Sequence, residues 1–198
     1  MTHLAEAKKR IEEDLQILEA MAAEMPRYLM YDGLFYPLPQ MDYPRLTLGN
    51  YLMRQHRLLA LADDMPEATA GRLARAVDQF QEAIDDHLVR VEEHANQELQ
   101  TRVKQWDTYV DELTDNPDEH MAYYATHATD RTILQAIFDF MQPPYNADPR
   151  ARQELQMLDF VLHGEWDDGP FVWPEVWQPS YPRQDYWWLY GRPALTEA

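Results

Sequence analysis

Residues 67–113 read EATAGRLARAVDQFQEAIDDHLVRVEEHANQELQTRVKQWDTYVDEL. Within them Leu73, Val77, Phe80, Ile84, Leu88, Val91, Ala95, Leu99, Val103, Trp106, Val110 and Leu113 recur at steps of three or four only. That spacing keeps every apolar side chain on one face of an α-helix and fits no strand, which needs alternation by two. No proline interrupts the stretch, and its one glycine, Gly71, lies near the start. As a single helix it would be about 70 Å long at about 1.5 Å per residue. That is too long for a compact chain of 198 residues. The reading is therefore a helix that either breaks near Asn96 or protrudes to meet a partner. From Leu73 to Leu88 the steps run four, three, four, four. This mixes heptad and eleven-residue spacing, so a strict coiled coil is not implied.

Toward the N-terminus, Leu4, Ala7, Ile11, Leu15, Leu18, Ala22 and Met25 carry the same period, with Pro26 expected to close or bend that helix. Residues 26–45, PRYLMYDGLFYPLPQMDYPR, hold four prolines and four tyrosines and read as a turn-rich connector anchored by rings. A short strand at Leu34–Tyr36 fits, without an evident partner strand. Thr47 is placed to cap a helix running to about Asp63.

Toward the C-terminus, TDNPDEH at 114–120 stops and restarts the chain. A short helix to about Thr126 and a second one capped by Asp130 are expected. Asp148 and Pro149 open a last helix, with Leu155, Leu158, Phe160, Val161 and Leu162 on its buried side and Gly164 at its end. Residues 165–193, EWDDGPFVWPEVWQPSYPRQDYWWLYGRP, then hold five of the six tryptophans and five prolines. Prolines at that density rule out one regular helix, and so much ring surface is costly to leave in water.

Composition removes several functions. Acids outnumber bases 35 to 17, a net charge of −18. The densest basic run, Ala7–Arg10, is followed at once by Ile11–Glu19 with its acids. Neither nucleic acid nor an anionic membrane surface is expected as a partner, since both need concentrated positive charge. Only Lys8, Lys9 and Lys104 among the bases are lysines. Cysteine is absent, which excludes disulfides, thiolate nucleophiles and sulfur-ligated zinc or iron–sulfur sites. No window of 18 apolar residues spans a bilayer, and an N-terminus carrying Glu6 with no apolar run is not a secretory leader. The expected location is the cytoplasm.

The layout resembles hemerythrin-like and ferritin-like bundles in outline, but their ligand patterns do not transfer. None of the seven histidines has Glu or Asp three residues before it, so Glu-x-x-His does not occur. His-Glu-x-x-His is missing as well. A looser metal set remains: His87 and His94, seven apart on one helix face, with Glu98 one turn beyond and His56 from another helix. The two imidazoles lie about 10 Å apart along the axis, too far to share one ion easily. His120 and His127 repeat the spacing around Tyr123 and Tyr124, with Asp130 following, a set suited to acid–base work only if buried together. The lone serine, Ser180, has no Gly-x-Ser-x-Gly elbow, and six scattered glycines build no phosphate loop.

The aromatic C-terminal segment remains. Trp166, Phe171, Trp173 and Trp177 form its first half, and Tyr181, Tyr186, Trp187, Trp188 and Tyr190 its second. They either cover the chain's own core, form an interface with another subunit or protein, or line a groove for an apolar or carbohydrate ligand. The expected fold is all-α: an antiparallel helical bundle over 1–163 with one unusually long helix, followed by an extended aromatic and proline-rich segment over 164–198. The expected function is an interaction or assembly subunit, homo-oligomeric or bound to a protein partner, without cofactor or evident catalytic centre. The alternative is a helical metal protein or metal-dependent enzyme holding a divalent transition metal on His56, His87, His94 and Glu98.

Overall fold

The computed structural model describes residues 2–194, with side chains from Leu4 onward. The chain is mostly helical: among the described residues it forms seven α-helices and one two-stranded sheet. It divides into two compact units, Met1–Glu98 and Leu99–Ala198.

The first unit holds α1 (Thr2–Leu29), α2 (Leu48–Leu59), α3 (Glu67–Asp85) and the first turns of α4 (Leu88–Asp115). Leu15, Leu18, Met21 and Met25 of α1 are buried, as are Tyr51 and Leu58 of α2 and Leu73, Phe80 and Ile84 of α3. Of the two outcomes expected at Pro26, closure does not occur. The helix runs through it to Leu29. An internal proline costs about 3 kcal/mol. The complete burial of Tyr28 and Leu29 in the turn beyond it offsets this, at about 1.5–3 kcal/mol per large side chain. The connector that follows does find a strand partner, but a local one: Tyr36 and Leu46 form an isolated antiparallel bridge. Their backbone N–H groups each donate to the other's carbonyl, at 3.0 and 2.8 Å.

The stretch 67–113 is not one long helix. It breaks at Asp86–His87 into α3 and α4, not near Asn96. Two aspartates, which compete with helical backbone bonding, stand at the break. The helix there tightens, with the His87 N–H donating to the Ile84 carbonyl. The step of four from Ile84 to Leu88 continues the apolar period across the break and conceals it. Leu88 itself is exposed.

The second unit holds the rest of α4, α5 (Pro117–His120), α6 (Tyr124–Phe140), α7 (Pro149–Gly164) and the strands β1 (Trp166–Phe171) and β2 (Tyr190–Pro193). Asp130 does not cap a new helix. It sits inside α6, where the Arg102 guanidinium engages its carboxylate. Asp148 caps α7 as its sequence predicts, accepting from the Arg150 N–H at 2.9 Å, with Pro149 in the first turn. β1 and β2 pair antiparallel, with a register shift between Asp168 and Phe171.

Candidate functional site

The metal-ligand candidates occupy separate positions in the first unit. Among the described residues no three His, Asp or Glu side chains are grouped so as to hold a metal ion. His87 closes α3, its Nδ1 lying 2.9 Å from the Ala83 carbonyl oxygen. His56 is half-buried on α2. His94 is 2% exposed and packs against the Tyr28 ring at 4.4 Å between centroids. Neither of its ring nitrogens has a hydrogen-bond partner. Burial, helped by the nearby Arg90 charge, holds its pKa below the usual imidazole value. The carbonyls of Leu29 and Tyr31 favour the protonated ring. Each of these carbonyls also accepts from the Arg90 guanidinium, at 2.8 and 3.0 Å.

Glu98, one turn beyond His94, is fully buried and faces the N-terminus of α2. Its Oε1 accepts from the Thr47 hydroxyl at 2.6 Å and its Oε2 from the Gly49 N–H at 2.8 Å. Thr47 in turn accepts from the Asn50 N–H at 3.1 Å. Two of the free N–H groups of that helix end are thus satisfied, and a carboxylate sits where the helix dipole favours negative charge. The geometry is that of a buried cap.

The tyrosine–histidine set of the second unit also separates. His127 stacks on the Tyr109 ring at 3.9 Å, while Tyr109 donates its hydroxyl to the His120 carbonyl at 3.1 Å. Tyr123 is exposed. Tyr124 is buried and donates to the Trp188 carbonyl at 2.7 Å. Asp130 is held by Arg102, and His120 lies instead beside Glu112, its Nδ1 3.8 Å from that carboxylate, so Tyr123, Tyr124, His120, His127 and Asp130 are not joined as one proton-transfer set.

The aromatic segment folds against helices of its own unit. Trp177, Tyr181, Tyr186, Trp188 and Tyr190 are buried, and Trp166, Phe171, Trp173 and Trp187 are half-buried. Specific bonds fix it. The Trp188 Nε1–H donates to the Thr132 hydroxyl at 3.0 Å, and the Trp173 Nε1–H to the Ala125 carbonyl at 2.9 Å. Tyr190 donates its hydroxyl to the Tyr181 carbonyl at 2.7 Å. Burial pushes the Tyr186 hydroxyl pKa up to about 12.

In the second unit an apolar stripe is left open on α7, where the sequence reading did not place it. Phe160 and Val161, assigned there to the buried side, are 81% and 52% exposed, and Met157 is 71% exposed. The buried stripe is narrower: Ala151, Leu155 and Leu162. Met157, Phe160, Val161 and Gly164 form a second stripe at helical spacing. A usable signal was present, since six apolar residues among the eight of 155–162 exceed one helix stripe. A groove of about 470 Å³ runs beside them, lined by Val103, Lys104 and Asp107 of α4 and Glu154, Met157 and Val161 of α7. No family model, curated protein or solved structure matches this chain, so its own residues carry the functional reading.

Proposed function

We propose that this chain is a helical assembly subunit that joins a second copy of itself through the outer face of α7. The exposure of Met157, Phe160 and Val161 as one stripe carries this reading. Single exposed apolar residues need no explanation, whereas a contiguous patch marks a contact surface. Burial is worth about 1.5–3 kcal/mol for each such side chain. Six of them, three from each copy, rival the cost of association, about 4–15 kcal/mol.

The charge pattern favours a second copy as the occupant. The groove carries Lys104 together with Asp107 and Glu154, so its rim complements its own two-fold image. An antiparallel α7 pair also sets Arg150 of one copy beside the C-terminal carbonyls of the other, where a helix end favours a cation. Local pairing of this kind offsets the general repulsion between two chains of net charge −18.

The absence of cysteine makes the test direct. A Met157→Cys variant treated with a short bismaleimide is expected to give a covalent dimer. Leu4→Cys, equally exposed but in the other unit, is expected to remain a single chain. Equal yields from the two positions, or none from position 157, would contradict the reading.

A further inference from the structure

A cleft of about 650 Å³ opens between the start of α6 and the β1–β2 ladder, within the second unit. Small-ligand sites run from about 300 to 1,000 Å³. Met121, Ala122 and Ala125 supply an apolar wall, and Asp167, Gly169 and Arg192 line the opposite side. Asp167 and Arg192 are direct partners in the antiparallel register, so both side chains leave the same face of the ladder. Their charged ends nevertheless form no ion pair with each other, and neither has another partner among the described residues. The neighbouring carboxylate differs: Asp168 is held by Arg183 at 3.1 Å.

The backbone around this pair is built for close approach. Gly191 has φ +132°, and a Cβ there would lie 2.1 Å from the Asp167 carbonyl oxygen and 2.9 Å from the Gly169 nitrogen. The register shift between Asp168 and Phe171 takes Gly169 and Pro170 out of regular pairing. Irregularities of this kind re-aim side chains beside binding sites.

We infer that this cleft binds a small zwitterion with an apolar body, of the α-amino-acid class. Its ammonium group sits on Asp167, its carboxylate on the Arg192 guanidinium, and its side chain against Met121, Ala122 and Ala125. A guanidinium receives a carboxylate through paired N–H donors, so Arg192 fits that end. Two exposed charges of opposite sign on one wall, unpaired among the described residues, match a ligand carrying both. A free anion would meet the repulsion of a chain of net charge −18, and a simple cation would leave Arg192 unmet. An overall neutral zwitterion avoids both costs. This site is independent of the α7 surface, and the failure of either reading leaves the other standing.

The test is amide NMR of the full chain titrated with L-phenylalanine, reading Gly169 and Gly191. N-acetyl-L-phenylalanine supplies the carboxylate alone and phenethylamine the ammonium alone. The zwitterion is expected to shift both glycine amides saturably below about 10 mM, and each control to bind about tenfold more weakly or worse. D167N and R192Q are each expected to weaken L-phenylalanine by about tenfold. Ala122→Trp fills the apolar wall without touching either charge and is expected to abolish binding while amides outside the cleft keep their positions. No saturable shift with L-phenylalanine, equal shifts from all three compounds, or undiminished binding by D167N and R192Q would overturn the inference.

Discussion

The guanidinium carbon of Arg131 lies 3.7 Å from the centroid of the Trp188 ring. The same guanidinium forks the Asp159 carboxylate at 2.9 and 2.7 Å. One side chain of α6 therefore stacks on the aromatic segment and grips α7 at once. The other end of the indole is fixed by Thr132, whose hydroxyl donates in turn to the Ala128 carbonyl at 2.8 Å. Planarity makes this double role possible. A lysine has the charge but neither the face nor the fork.

Trp188→Ala is expected to cost about 3–5 kcal/mol, as for other buried large aromatic residues. Arg131→Lys keeps the charge but loses the stack and the paired bonds, and is expected to cost about 1–3 kcal/mol. Urea unfolding followed by circular dichroism measures both. An Arg131→Lys variant with the wild-type midpoint and slope would mean that the stack and fork contribute nothing.

The buried cap at Glu98 gives a second expectation. Glu98→Ala leaves the Gly49 N–H and the Thr47 hydroxyl without their acceptor in a closed environment, at about 1–3 kcal/mol for each unsatisfied group. Glu98→Gln restores an acceptor for one donor while bringing its own N–H₂ toward the other, so it is expected to lie between wild type and alanine. Hydrogen exchange at Gly49 and Asn50 reads the effect locally. Unchanged protection there in Glu98→Ala would remove Glu98 from its capping role.

His94 sets a pH dependence whose sign follows from its lowered folded-state pKa. Above the unfolded value, near 6.5, the ring is neutral in both states and costs nothing. Below it the unfolded chain takes up a proton that the folded chain resists, so stability falls as pH falls, by at most about 1.4 kcal/mol per pH unit. Around the ring stand Tyr28 from α1 and Arg90 and Glu93 along α4. His94→Phe loses no hydrogen bond, because both ring nitrogens lack partners. It is expected to match or exceed wild-type stability at neutral pH and to lose less on acidification between pH 6.5 and 5 (roughly the imidazole titration range). Parallel pH profiles for the two proteins would contradict this.

Local signals carried much of the fold. Asp148 and Pro149 open α7 as their chemistry requires, α7 ends at Gly164 without a left-handed glycine cap, and Thr47 caps α2. Failures arose where a distant contact overrode a local preference. Pro26 does not close α1, because Tyr28 and Leu29 beyond it are buried, and Asp130 stays inside α6 because Arg102 engages it. The break at Asp86–His87 was hidden by an apolar step that spans it. At the candidate sites, Glu98 was legible as a carboxylate on a helix face, but its partner Thr47 lies 51 residues away and nothing local joins them. The scarcity of lysine finds a partial account: Arg57, Arg72 and Arg131 each fork or bridge carboxylates, a task that needs a planar donor set.

The most direct measurement of the central claim is sedimentation equilibrium of the untagged chain beside Phe160→Glu. The wild-type protein is expected to approach twice its 23.5 kDa chain mass as concentration rises, and Phe160→Glu to stay at the single-chain mass with an unchanged helical spectrum. A wild-type protein that remains at the single-chain mass up to about 100 μM, or a Phe160→Glu variant that still doubles, would contradict assembly through α7.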